Sequence, residues 1–152
     1  MCAIGSKSPV LQILTTSRSD AVACGNIPAD NTVPQQTEGT EIFTLTITPK
    51  YANGLLEFNC STICSHGDSC ALALFKDSGA NAIAATMVDM LFNGTNCLHL
   101  NFITTAGSTS ATTYKIRAGA SNPSCSINTN SSGARVYGGV ASSFFSIREL
   151  AV

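Results

Sequence analysis

Three cysteines and a histidine crowd into one short stretch, Cys60-Ser61-Thr62-Ile63-Cys64-Ser65-His66-Gly67-Asp68-Ser69-Cys70. Thiolates and an imidazole are good zinc ligands, so chemistry is sought here first. The spacing Cys-x3-Cys-x-His-x3-Cys lacks the paired Cys-x2-Cys knuckle of structural zinc sites. Cys60 and Cys64 share the parity of Leu56 and Phe58, which makes them small buried hydrophobes on a strand beside a polar turn. The seven cysteines, at 2, 24, 60, 64, 70, 97 and 125, are odd in number and irregular in spacing. That argues against a full secreted disulfide framework. A single disulfide closing the turn, such as Cys64 with Cys70, is left open by the spacing. We expect no metal and no cofactor.

Ser65, His66 and Asp68 offer the residue types of a hydrolytic triad, but they are too close along the chain to converge. No Gly-x-Ser-x-Gly elbow precedes a helix. His66 and Asp68 are instead expected on an exposed loop, and His99 within a strand. The carboxylates Glu38, Glu41, Glu57, Asp77 and Asp89 show no spacing that pairs two of them for glycoside hydrolysis. No acid, base and nucleophile are brought together, so no catalytic residues are expected and the chain reads as non-enzymatic.

Composition sets the frame for these residues. A chain of 152 residues forms one domain, with or without a short arm, and 44% hydrophobic residues suffice for a core. Charged residues make up 11%, with eight basic against nine acidic. No basic field draws nucleic acid and no acidic run makes a solvating tail. The remaining polarity is Ser, Thr and Asn, suited to partly exposed strands and turns. The apolar run Val10-Leu11-Gln12-Ile13-Leu14 is too short and polar for a signal segment or a membrane span. A soluble protein made in a cytoplasm is expected, with neither nucleic acid nor membrane as partner.

The pattern of elements is all-β. Residues 1–26 read as an N-terminal arm with one short strand around Val10–Thr16, followed by a Pro/Asn/Gly-rich connection, and 27–152 as the main domain. EIFTLTITPK alternates as a strand that Pro49 ends. Asn53-Gly54 is the best hairpin turn signal, joining that strand to LLEFNCSTIC. ALALFKD and CLHLNFITTA read as strands, and NAIAATMVDML as a strand despite its alanines. The last third, ATTYKIRAGA to SSFFSIREL, runs strand, turn, strand, turn, strand to the end. Turn signals about every ten residues are the spacing of a sandwich or barrel.

Four segments carry a resemblance: IPADNTVPQQTEGTEIFTLTITPK, LALFKDSGANAIAAT, TTAGSTSATTYKIRAG and SSGARVYGGVASSFFSIREL. Together they resemble a small jelly-roll domain of tailed-bacteriophage virion proteins, similar to the tumour-necrosis-factor and complement globular heads. The resemblance spans residues 27–150 and implies a jelly-roll β-sandwich, a homotrimer, and a structural or adsorption role on a virion. It implies no catalytic residues. The cysteine cluster at 60–70 departs from the family pattern. Tyr137, Phe144, Phe145 and Ile147 are the trimer-interface candidates, since aromatic residues dominate subunit contacts. Alternation on a strand requires one of Phe144 and Phe145 to face the core and the other a partner. The short arm favours a decoration or cement protein on the capsid exterior, seated on the major capsid protein. The alternative is a tail-fibre or receptor-binding tip that adsorbs to a host surface glycan or protein.

Overall fold

The computed structural model describes residues 9–65, 67–90, 94–121 and 124–151, and within them the chain forms ten β-strands and no α-helix. In order these are β1 (Val10–Arg18), β2 (Val22–Cys24), β3 (Thr40–Ile47), β4 (Leu55–Ser65), β5 (Ser69–Lys76), β6 (Ala84–Asp89), β7 (Thr95–Thr105), β8 (Thr112–Ala120), β9 (Cys125–Ile127) and β10 (Ser143–Leu150). No helix of the described residues is long and apolar enough to cross a membrane.

Two sheets face each other. The first runs β1-β10-β4-β9-β2, with β7 pairing along the other side of β4. The second runs β3-β8-β5-β6. All strand pairs are antiparallel. Period-two alternation explains which residues fill the space between the sheets. Leu56, Phe58 and Cys60 of β4, Phe145 and Ile147 of β10, Leu72 and Leu74 of β5, and Tyr114 and Ile116 of β8 are all buried. Two aromatic contacts tie sheet to sheet: Phe58 on Tyr114, with ring centroids 4.6 Å apart, and Phe145 on Phe43 at 6.2 Å.

Two expectations about local structure have different outcomes. The NAIAATMVDML segment is strand at Ala84–Asp89, because β5 offers it a full ladder. The turn at Asn53-Gly54 forms, with the Gly54 N–H donating to Tyr51 O at 3.1 Å, but it makes no hairpin. Pro49 ends β3 in the second sheet, and the chain crosses to β4 in the first. The last strand, β10, is held between β1 and β4. β3 also departs from strict alternation. A register shift between Glu41 and Phe43 turns both Ile42 and Phe43 inward.

Both faces of β5 are buried. Cys70, Leu72 and Leu74 face the core, while Ala73 and Phe75 face outward and form a second cluster with Ile27. The cover is residues 25–39, which cross the outer face of the second sheet as a strap. Ile27 N–H donates to Ala120 O (2.9 Å), Ala82 N–H to Pro34 O (2.9 Å) and Gln36 N–H to Ala80 O (2.8 Å). Arg117, pointing outward from β8, donates to the carbonyls of Glu38 (2.6 Å) and Gly39 (2.9 Å). The strap comes so close that a Cβ on Gly119 would meet Ile27 Cγ1 at 2.5 Å.

Candidate functional site

The residues singled out for hydrolytic chemistry are dispersed. Asp68 is exposed beside the β4–β5 turn, and His66 lies outside the described residues. His99 is exposed on the outer face of β7, across from Ser61. Asp89 is exposed, and the other four carboxylates are engaged separately. Glu38 accepts from Gln35 N–H (2.8 Å), Asp77 from Thr113 N–H (2.8 Å), Glu57 pairs with Arg148 (3.5 Å) and Glu41 with Arg117 (3.8 Å). Of the cysteine cluster, Cys60 faces the core and Cys64 bonds to Cys70 in a disulfide.

The four interface candidates divide. Phe145 and Ile147 are fully buried in the core of the sandwich. Phe144 and Tyr137 reach solvent, 44% and 79% exposed. Phe144 belongs to the outer face of the first sheet, whose composition follows from cross-strand register. One row across that face is His99, Ser61, Phe144 and Ser17. The next is Asn101, Asn59, Ser146 and Thr15, and the third is Ile103, Glu57, Arg148 and Ile13. Ile13 and Ile103 are more than half exposed. The face is thus a flat field of small polar groups with three apolar side chains and one ion pair among these rows.

At one end of this face lies an open depression of about 460 Å³, lined by Ile63, Thr95, Asn96, Cys97, Thr129, Asn130, Val136 and Tyr137. The sequence builds its wall by an unusual turn. Tyr137, Gly138 and Gly139 all have positive φ (51°, 62° and 89°), a conformation that costs a tyrosine energy. Arg135 braces the turn from beneath, donating to Ser19 O and Ser19 Oγ at 2.9 Å each. Gly139, at φ 89°, is in a conformation that favours glycine, and a Cβ there would displace the Arg135 guanidinium.

The root of the loop is a buried polar knot. Asn128, itself at positive φ, donates to Arg18 O (3.2 Å) and Asp20 O (3.0 Å) and accepts from Ser143 Oγ (2.8 Å). Thr62 bonds Ser143, and Ser65 bonds Thr129. The exposed ring therefore stands on a fixed base. The Gly138-Gly139 pair was the sequence signal for this turn, and the buried partners had none.

Sequence reasoning also missed Glu149, which is fully buried at the inner end of β10. Its carboxylate accepts from Lys50 N–H (2.8 and 3.0 Å), Tyr51 N–H (3.0 Å) and Gln12 Nε2. Burial works against the charge, but these donors outweigh it and hold the carboxyl below its ordinary range. The group holds the crossover between the sheets in place and faces no cleft.

Architecture and surface together define an all-β, two-sheet sandwich protein with one bare face and a polar, aromatic depression at its end. No family model matches the chain. No characterised protein matches it in sequence. Among solved structures it is similar to the C-terminal domain of EclA, described as a sugar-binding protein, at TM-score 0.38 and 16% identity over 72% of this chain and 74% of that one. It is also similar to the enzymatically active domain of bacteriophage CBA120 tailspike protein 4, at TM-score 0.35 and 14% identity. That match covers 79% of this chain but only 19% of the tailspike chain.

Proposed function

We propose that this chain is a non-enzymatic surface protein of a bacteriophage virion, a homotrimeric jelly roll that adsorbs to a host surface glycan through the depression beside Tyr137. The jelly-roll reading is supported by the wiring, in which the chain passes between the sheets at β2–β3, β3–β4, β4–β5, β6–β7, β7–β8 and β8–β9. The trimer reading is supported by the bare face of the first sheet, where Phe144, Ile13 and Ile103 stand in solvent among small polar groups and a single ion pair.

The observation that carries the adsorption reading is the Tyr137 turn. A ring held in solvent by a strained, braced turn offers an apolar face to a sugar ring, and its neighbours Thr95, Asn96, Thr129 and Asn130 offer hydroxyls and amides to sugar hydroxyls. The volume of the depression falls within the range of small-molecule sites. Light scattering of the purified protein should give three times its 15.7 kDa mass, and a glycan array should give a defined set of ligands. Tyr137→Ala should abolish those signals while leaving the trimer intact. A monomer at micromolar concentration overturns the trimer, and an array without ligands, or binding that survives Tyr137→Ala, overturns the site.

The bare sheet face also suits a second reading, a decoration protein seated on the major capsid protein. A flat face of this kind can lie against a shell as well as against a copy of itself. Particle stoichiometry separates the two, because a decoration protein is present in many copies per shell and a tail tip in few. Particles lacking the protein should lose heat resistance in the first case and adsorption in the second.

A further inference from the structure

Four cysteines from distant parts of the chain meet at one end of the sandwich. Cys24 on β2 and Cys125 on β9 are direct cross-strand partners, and both are buried. The Cys24 thiol donates to Val22 O (3.6 Å). The sulfur atoms of Cys64, Cys70 and Cys125 lie within 4.8 Å of one another, and Cys64–Cys70 is a disulfide. Cys125 thus stands between a thiol directly across the ladder and a disulfide it adjoins.

We propose that Cys24 and Cys125 form a second disulfide, closed by exchange with a low-molecular-weight disulfide of the glutathione type once the protein leaves a reducing compartment. Residues directly opposite in an antiparallel ladder have Cα atoms about 4.5–5.5 Å apart, within the roughly 4.4–6.8 Å that a disulfide spans. No strand has to move to bring the two sulfurs together. A tetrahedral thiolate metal site fits less well, because the Cys24 sulfur is not within the group formed by the other three.

The exchange proceeds in two displacements. Cys125 thiolate attacks one sulfur of the reagent, the reagent's S–S bond breaks, and one reagent thiol departs with the proton Cys125 gave up. Cys24 then gives up its proton and attacks the Cys125 sulfur, the mixed disulfide breaks, and the second reagent thiol departs with that proton. Two protein thiols are oxidised and one reagent disulfide is reduced to two thiols. The order follows from the interaction of the two facing thiols, which holds Cys125 below its ordinary value against the opposing effect of burial and, together with burial, raises Cys24. The reagent reaches the pair by opening of β2 and β9, which are three residues each and pair with one another over those three positions.

Cys60 is the internal control. It is buried on β4, burial pushes its thiol up to about 12, and it has no cysteine across from it in either neighbouring strand. The bond would join the first strands to the last third of the chain, closing a loop of about 100 residues, the long-loop case in which a cross-link constrains the unfolded chain most.

The test uses the full chain. Protein equilibrated in reduced or oxidised glutathione is denatured in iodoacetamide, and its linkages are mapped by mass spectrometry. With only Cys64–Cys70 closed, five of the seven cysteines are alkylated. In oxidised buffer the number should fall to three, Cys2, Cys60 and Cys97, with a Cys24–Cys125 linked peptide appearing. Continued alkylation of Cys24 and Cys125 in that buffer, or their linkage to other cysteines, overturns the proposal. So does stoichiometric zinc in the reduced protein that Cys125→Ser releases, which would assign the cluster to metal instead.

Discussion

The outer face of the second sheet is roofed by residues 25–39, whereas the outer face of the first is open to solvent. The sequences of the central strands differ accordingly. Outward positions on β5 are Ala71, Ala73 and Phe75, so the strand is apolar on both sides, as strands covered on both faces are. Outward positions on β4 are Glu57, Asn59 and Ser61, half-buried polar groups that need no roof. The chain covers the apolar face with its own backbone, anchored by Arg117 and admitted by Gly119. Where no strap lies, the scattered apolar residues Ile13, Ile103 and Phe144 are exposed. One face is closed by the chain's own backbone, and the other is bare among the described residues.

The sharpest way to break that contrast is to remove a residue from beneath the strap. Phe75 is fully buried between β5 and the strap, so Phe75→Ala should cost about 3–5 kcal/mol in urea unfolding and leave the oligomeric mass of the folded fraction unchanged. A loss of association without loss of stability would reverse the roles of the two faces. Gly119→Ala should cost about 2 kcal/mol, because the new Cβ would also meet Gly25 O and Ile27 N at 2.9 Å. Since those atoms are backbone, the strap must lift. Faster proteolysis within residues 25–39 would report that directly, and an unchanged cleavage rate would show that the strap is not held there.

Much of this was legible in the sequence, and the rest fails for one reason. Alternation requires one of Phe144 and Phe145 to face the core without saying which, and the structure places Phe145 there beside Ile147, with Phe144 outward. The apolar run ALALF marks β5, and the spacing of turn signals gives an all-β sandwich. What local pattern does not contain is the identity of a partner distant in sequence. IPADNTVPQQTEG reads as a plain connection because its role depends on Arg117 and Gly119, far along the chain. Asn53-Gly54 carries a true turn signal, but which sheet receives the next strand is decided by β10 and β7. Cys24 and Cys125 obey no spacing rule, since β2 and β9 bring them together from opposite ends of the fold. Glu149 shares the inward parity of Phe145 and Ile147, a visible anomaly, while its explanation lies in the N–H groups of Lys50 and Tyr51.

Glu149 belongs to neither outer face, so it tests folding apart from association. Its carboxyl is held below the ordinary range in the folded protein, so its contribution to stability is present above the unfolded value of about 4.5 and is lost as pH falls through the lower folded value. Thermal unfolding followed from pH 6 to pH 3 should therefore show wild-type protein losing more stability than Glu149→Gln. At neutral pH the substitution should cost about 1–2 kcal/mol, because an amide cannot accept from Gln12 and both N–H groups as the carboxylate does. Parallel pH curves for the two proteins would show that the buried carboxyl is not what acid attacks.

The smallest expected effect on folding is the most informative about the bare face. Phe144 contributes nothing to the core, being 44% exposed and lying opposite Ser61 and Ser17, so Phe144→Ser should change monomer stability by less than about 0.5 kcal/mol. If that face is covered by copies of the chain, the same change removes an aromatic anchor, and dissociation measured by sedimentation should become roughly tenfold easier. Ile13→Ser and Ile103→Ser, two rows further along the face, should act in the same direction, whereas Val33→Ser, exposed on the strap, should not. Equal effects from the strap and from the sheet would erase the distinction between the two faces, because association would then follow exposed apolar area wherever it lies.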